Sequence, residues 1–207
     1  GKQGQLLWQY ANGRGEAFLQ AQPAANKGYG NAVTTSRDVT DRNYACQVLL
    51  SLCETVGMRL RRDGQAGSCV AVQLRTSQFE TWSHQMRLAS ATNVTGELYQ
   101  AACSLLAQTW DFKTPLRQLG VSVTQLGDGT LRQYSLFDAA DYARQEKLDT
   151  AVDALREKFG EGALFRAALL HSDERMAGGL HKKRRTGITK PIEDEAARIR
   201  KKYGNND

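Results

Sequence analysis

The sequence has few of the residues that bind structural metals or cross-link small secreted folds. It contains only four cysteines and three histidines in 207 residues, and no two cysteines show the CxxC spacing of common zinc sites. This scarcity argues against a zinc site and against a disulfide framework. Every cysteine stands in an apolar stretch, which is typical of reduced core thiols in a cytoplasmic protein. The four are Cys46, Cys53, Cys69 and Cys103.

Long apolar runs are also missing. No run approaches the roughly 20 residues that cross a bilayer, and no N-terminal segment resembles a signal peptide. We therefore expect a cytoplasmic protein without a membrane partner. Hydrophobic residues still make up 41% of the chain, which is enough for a folded core. The chain starts at Gly1 rather than Met, which suggests a fragment or a processed product.

Charge is present with a modest basic excess. Twenty-eight Lys and Arg face 22 Asp and Glu, so the net charge is +6. Such a balance suits a polyanionic partner. The excess is uneven, because residues 171–207 combine a net positive charge with few apolar residues. We expect this segment to be a basic tail.

Hydrophobic periodicity predicts the order strand, helix, strand, strand, helix, strand in the middle of the chain. The predicted strands are 31–39, 68–76, 79–89 and 116–126. The predicted helices are 2–11, 42–62, one that begins after Asn93 or Thr95 and ends at about 109, and 138–159. Thr40-Asp41 offers an N-cap to the second helix, and either Asn93 or Thr95 can cap the third. The predicted class is α+β: a four-stranded antiparallel sheet in the split βαβ, ferredoxin-like order, covered on one face by two helices, with a helical C-terminal tail.

Alternation along the strands divides the sheet into an apolar face toward the helices and a polar face away from them. The polar face has Arg and small hydroxyl or amide side chains: Gln73, Arg75, Thr81, Ser83, Gln85, Arg87, Ser122 and Thr124. Such side chains suit contacts to a nucleic-acid backbone without base readout, but a solvated face would look the same. An RNA-binding sheet would need exposed aromatic rings, which the alternation does not supply.

Several stretches resemble one family when taken in order. These are 1–13, 27–38 (beginning KGYGN), 70–76 (VAVQLRT) with Phe79, 116–121 (LRQLGV) and 147–160. They resemble the C-terminal part of bacterial Y-family translesion DNA polymerases of the UmuC/DinB-like kind. In that family they would correspond to the end of the thumb, strands of the little-finger domain and a C-terminal helix. The resemblance implies a role in lesion bypass, DNA repair and the SOS response.

The resemblance implies that the little-finger domain grips the template–primer duplex through its backbone. The residues carried over as DNA-binding are Lys27, Asn31, Thr34, Thr35, Arg37, Arg75, Thr76, Ser83, Gln85 and Arg87. His84 stands where the family usually has Arg. Strict alternation would turn His84 toward the helices, so a core histidine and a DNA ligand both remain open for it.

The resemblance also implies that this chain binds DNA but does not contain the catalytic residues of the polymerase. Nucleotidyl transfer needs acidic residues that hold two metal ions, and this sequence has no matching motif. We therefore expect no catalytic residue, metal site or cofactor in this chain. Magnesium is expected in the parent polymerase.

A short peptide follows the last predicted strand. QYSLF at 133–137 resembles the bacterial sliding-clamp-binding pentapeptide Q-x-x-L-F. The resemblance implies that Leu136 and Phe137 fill an apolar groove on the clamp while Gln133 forms a hydrogen bond at its rim. An alternative is a linker whose Leu136 and Phe137 pack on the domain itself.

These features divide the chain into six segments. They are a thumb end (1–13), a linker (14–26), the little-finger domain (27–127), the clamp peptide (128–138), a helical region (139–170) and the basic tail (171–207). A second hypothesis makes the chain a regulatory protein-interaction module of a DNA-repair protein. In that case the apolar stripe Leu148, Val152, Leu155 and Phe159 would bind a partner such as a recombinase filament, and the tail would bind DNA.

Overall fold

The computed structural model describes residues 1–15, 25–129, 139–160 and 163–169. In these ranges the helices are α1 (Lys2–Ala11), α2 (Arg42–Arg62), α3 (Thr95–Thr109) and α4 (Ala139–Phe159). The strands are β1 (Gly28–Val39), β2 (Gln65–Thr76), β3 (Thr81–Thr92) and β4 (Leu116–Asp128), and Ala167–Leu169 forms a turn of 3-10 helix. The predicted elements are confirmed, with helix ends within one residue and strand ends within about three.

The strands form one antiparallel sheet in the lateral order β1-β4-β2-β3. Because β4 pairs with both β1 and β2, those two strands run parallel to each other with β4 between them. Helix α2 connects β1 to β2 across β4, and α3 connects β3 to β4 across β2. Both crossovers are therefore split by one strand, which confirms the predicted split βαβ arrangement.

Helices α2 and α3 cover one face of the sheet, and the core fills the space between them. Alternate residues of β2 and β4 point into this core, as the sequence predicted. They are Val70, Val72, Leu74, Leu119, Val121 and Val123, all buried. Leucines of both helices and valines of α2 meet them, and burying each such side chain contributes about 1.5–3 kcal/mol.

The two helices that cover the sheet begin in different ways. Asp41 caps α2 as predicted, since its Oδ2 accepts a hydrogen bond from the Tyr44 N–H at 2.8 Å. The expectation that Asn93 or Thr95 caps α3 is wrong. The N-cap residue is Val94, which has no polar side chain, and the carboxylate of Asp149 on α4 accepts the Thr95 N–H at 2.7 Å instead.

Helix α4 packs against α2 through charged side chains rather than through its apolar stripe. Arg61 of α2 donates from Nε to Asp153 at 2.6 Å and from Nη1 to Asp149 at 3.2 Å. About two turns earlier on α2, Glu54 accepts from Arg156 of α4 at 3.3 Å. Arg156, Glu54 and Asp149 are each at most 5% exposed, so this is a buried ion network. Such networks are costly to break when one partner is removed.

The apolar stripe predicted on α4 lies outside the core. Leu148, Leu155 and Phe159 are exposed, and Val152 is half-buried. The N-terminal helix α1 likewise buries none of its residues. No helix in the described ranges combines the length and the apolar character that a membrane crossing requires.

Candidate nucleic-acid interface

The sheet face opposite the two helices is a regular array, which we call the open face. The registers place its residues in four rows across the strands, read from β1 to β3. The rows are Thr34–Gln118–Arg75–Thr81, Ala32–Gly120–Gln73–Ser83, Gly30–Ser122–Ala71–Gln85 and Gly28–Thr124–Cys69–Arg87. The polar face that alternation predicted for β2, β3 and β4 is confirmed.

The chemistry of the open face is uniform. Its rows contain hydroxyls, amides, small residues and the buried Cys69 thiol, with two arginines and neither a carboxylate nor an aromatic ring. No side chain projects from the centre of the open face at Gly120. A Cβ at this position would crowd its neighbour, because it would lie 3.1 Å from the Cβ of Ala32. A rigid donor-bearing surface can therefore approach a polyanion closely.

The two arginines stand at opposite ends of the array. Arg75 donates from Nε to the Thr81 hydroxyl at 3.0 Å, which orients its guanidinium along the first row. Arg87 is exposed in the last row. The first and last rows are six residues apart along β2, which is roughly 20 Å at about 3.3 Å per residue, so the two arginines can contact separate phosphates of a double-stranded polyanion.

Five of the ten residues carried over by resemblance meet on the open face. They are Thr34, Arg75, Ser83, Gln85 and Arg87. Lys27 is exposed and directly precedes the first residue of β1. Arg37 is directed elsewhere, because its guanidinium lies 5.0 Å from the centre of the Tyr44 ring on α2.

The other three carried-over residues do not reach the open face. Asn31 is paired with Val121, so its side chain lies on the helix side of the sheet. Thr35 is 4% exposed and its hydroxyl donates to the Arg117 carbonyl at 3.1 Å. Thr76 is 2% exposed, and its hydroxyl accepts the Glu80 N–H in the turn between β2 and β3. Thr35 and Thr76 thus stabilise the sheet ends.

Sequence reasoning left several open-face residues out of the binding set. Gln73, Thr81, Gln118, Ser122 and Thr124 stand beside the five that were included. The alternation of polar and apolar residues along β2, β3 and β4 had indicated that these residues share the polar face. The binding set, in contrast, came mainly from contiguous stretches that resemble the family. A residue's place in the array thus follows from its cross-strand position and not from its membership in a motif.

His84 is paired with Val72 across β2 and β3. Its side chain therefore lies on the helix side, as alternation predicted. It is nevertheless exposed, because β3 is an edge strand. His84 is thus neither a buried core residue nor a member of the open face.

The clamp-peptide residues Gln133, Leu136 and Phe137 and the tail 171–207 lie outside the described residues. The ends that flank the peptide are described. Gly129 donates its N–H to the Gly64 carbonyl at 3.0 Å, and α4 begins at Ala139. Within the described ranges, no group of three His, Cys, Asp or Glu side chains could hold a metal ion.

Comparison with known proteins identifies the family. Residues 26–136 match the family described as the impB/mucB/samB family C-terminal domain. This segment covers more than half of the chain and includes every strand of the sheet. The chain belongs to the impB/mucB/samB family.

Relatives of this impB/mucB/samB family chain include curated DNA polymerases. DNA polymerase IV of Clostridium acetobutylicum is 33% identical over 172 residues, covering 83% of this chain and 43% of that protein. DNA polymerase IV 2 of Bacillus subtilis is 34% identical over 175 residues, covering 82% and 42%. The chain thus spans less than half the length of these relatives. The resemblance to the C-terminal part of a Y-family polymerase is confirmed.

A solved structure is similar as well. The insertion ternary complex of Dbh DNA polymerase is 14% identical, with a TM-score of 0.38, over 59% of this chain and 35% of that chain.

Proposed function

We propose that this chain binds duplex DNA without sequence preference through the open face, as the little-finger domain of a Y-family lesion-bypass DNA polymerase. The observation that carries the proposal is the open face itself, where two arginines stand among hydroxyls and amides without a carboxylate. Such a face offers phosphate contacts along both strands of a duplex. In the parent polymerase it would grip the template–primer while other residues perform the magnesium-dependent chemistry.

The absence of aromatic rings from the open face favours duplex backbone over single-stranded RNA. Single-strand recognition depends on bases that stack on exposed rings. The exposed rings nearest the sheet lie elsewhere: Trp82 is on the helix side, paired with Leu74, and Phe79 lies in the turn before β3. Backbone contacts carry no sequence information, which suits an enzyme that moves along its template.

The experiment is a fluorescence-anisotropy titration of a labelled primer–template at several salt concentrations. The double variant Arg75→Ala with Arg87→Ala should lower the log–log salt slope by about 1.8, at roughly 0.9 for each phosphate that is no longer neutralised. If each arginine–phosphate hydrogen bond is worth about 1 kcal/mol, affinity should fall roughly thirtyfold.

The matched control removes the same charge from another surface. Arg144 and Lys147 are exposed on α4, and their replacement by Ala should leave both slope and affinity close to the parent values. Equal reductions in the two double variants would mean that net charge, rather than the open face, binds DNA.

Clamp docking through Gln133, Leu136 and Phe137 is the second part of the proposal. It is supported by the Q-x-x-L-F match and by its position between the end of β4 and α4. Two buried apolar side chains contribute about 1.5–3 kcal/mol each, which gives a weak contact that DNA binding reinforces by tethering. Leu136→Ala with Phe137→Ala should abolish binding to a bacterial sliding clamp in a pull-down, and retained binding would overturn this part.

One observation favours a second function as a protein-interaction module. Leu148, Leu155 and Phe159 form an exposed apolar stripe on α4, to which a partner such as a recombinase filament could bind. In this alternative the basic tail would bind DNA. Replacing Lys182, Lys183, Arg184 and Arg185 by Ala in the full chain separates the two functions, because loss of DNA binding would assign it to the tail.

A further inference from the structure

Two cysteines face each other across the helical layer. Cys46 lies on α2 and Cys103 on α3, and their Sγ atoms are 3.6 Å apart. Both residues are half-buried, whereas Cys53 and Cys69 are buried, and all four thiols are free. The sequence predicted core thiols, and the structure instead leaves this one pair within reach of small solutes.

We propose that Cys46 and Cys103 are a reversible oxidation site that forms a disulfide between α2 and α3 when the protein meets hydrogen peroxide. One thiolate attacks a peroxide oxygen, the O–O bond breaks, and a sulfenic acid forms as the other oxygen leaves as water. The second sulfur then attacks the sulfenic sulfur and releases a second water. Two thiols lose two electrons and two protons in total, and the peroxide is reduced to two waters.

The geometry favours an internal bridge over separate oxidation. The two sulfurs already touch at 3.6 Å, so bond formation requires an approach of roughly 1.5 Å to reach the S–S length of about 2.05 Å. Side-chain rotation and a small helix shift can supply such a movement. A sulfenic acid formed on either residue therefore meets its partner thiol before a second peroxide.

The surroundings of the pair determine its rate. Burial raises the pKa of the Cys103 thiol to about 11, while the Tyr99 hydroxyl, which hydrogen-bonds to it, and the nearby Arg42 guanidinium act in the opposite direction. Cys46 and Cys53 are the other titratable neighbours. Whichever sulfur reacts first, Cys103 must attack as a thiolate in one of the two steps. Bridge formation should therefore accelerate as the pH rises toward 11.

The bridge would connect residues 57 positions apart. A cross-link over such a loop stabilises the folded domain chiefly by restricting the unfolded chain. It would join the two helices on the side of the sheet away from the open face. Oxidation should thus raise thermal stability without covering the open face, and the inference does not depend on the proposed DNA binding.

The test treats the full chain with hydrogen peroxide and counts thiols with a chromogenic disulfide reagent. We expect two of the four thiols to disappear, a mass lower by two hydrogens and a melting temperature higher by roughly 5–15 °C, all reversed by dithiothreitol. The rate should rise roughly a hundredfold between about pH 7 and about pH 9, because the thiolate fraction of Cys103 grows about tenfold per pH unit below its pKa of about 11.

The variants assign the bridge. Cys46→Ser and Cys103→Ser should each abolish the change in melting temperature, whereas the control Cys53→Ala should retain it. A count of four thiols after oxidation of the parent chain would overturn the proposal even if a variant failed to fold. So would a bridge that is lost in Cys53→Ala, or one that joins two chains.

Discussion

Removing the Asp149 carboxylate should destabilise the domain far more than removing any exposed carboxylate of the same helix. Asp149 accepts hydrogen bonds from Arg61 at 3.2 Å, Arg166 at 2.9 Å and the Thr95 N–H at 2.7 Å. It is 4% exposed, so water cannot replace these partners while α4 stays in place. Asp149→Ala therefore breaks a buried ion network and uncaps α3 in one substitution.

The magnitude follows from these interactions. Breaking a buried ion pair costs about 3–5 kcal/mol, and removing the negative charge at a helix N-terminus adds about 0.3–1 kcal/mol. Arg61 keeps Asp153 and the Asn93 carbonyl at 2.6 Å each, which places the expected loss near the lower figure. We therefore expect the free energy of unfolding to fall by about 3–4 kcal/mol.

Urea denaturation followed by circular dichroism measures this loss. The control is Glu157→Ala, since Glu157 is exposed on the same helix and should change stability by no more than about 0.5 kcal/mol. Asp149→Asn should show an intermediate loss, because an amide oxygen can still accept the Thr95 N–H. If Asp149→Ala and Glu157→Ala unfold at the same urea concentration, the network does not hold α4 to the domain.

Two further predictions concern the sheet and its border. The hydrogen bond from Arg62 holds the pKa of Asp63 below its usual 3.8, so the stability from this pair is present above pH 3.8 and is lost as the pH falls through the lowered pKa. In an NMR titration, Arg62→Ala should move that pKa back toward 3.8, and an unchanged value would contradict the assignment. Gly67→Ala should cost about 1–3 kcal/mol by overpacking, because its Cβ would collide with Val123. Gly127→Ala, with open space around it, is the control in the same thermal denaturation series, and equal melting temperatures would refute the clash.

Hydrophobic periodicity was sufficient to predict the helices and strands and to assign the two faces of the sheet. The alternation of Val70, Val72 and Leu74 with Gln73 and Arg75 indicates which side is buried, because the side-chain period of a strand is two. Cross-strand neighbours could not be predicted in this way. They depend on register shifts such as the one in β1 between Thr34 and Val39, and a bulge has no reliable sequence signal here.

Charged residues were harder to interpret than apolar ones. Arg61, Asp149 and Arg156 look like solvated helix surface, since each stands among other polar residues. Their partners lie far away in sequence, with 88 positions between Arg61 and Asp149 and 102 between Arg156 and Glu54. No local pattern connects such pairs, so neither the anchoring of α4 nor the capping of α3 by Asp149 could be predicted.

The lateral order of the strands has a consequence for how the chain folds during synthesis. Of the four strands of this sheet, β4 is the last to leave the ribosome, yet it occupies a central position and is the partner of both β1 and β2. Until residues 116–128 emerge, β1 has no neighbouring strand and only the β2–β3 hairpin can form. β1 therefore stays unpaired while about 80 further residues are translated, a delay of about 4–16 s at roughly 5–20 residues per second. Aggregation and chaperone contact should concentrate in that interval.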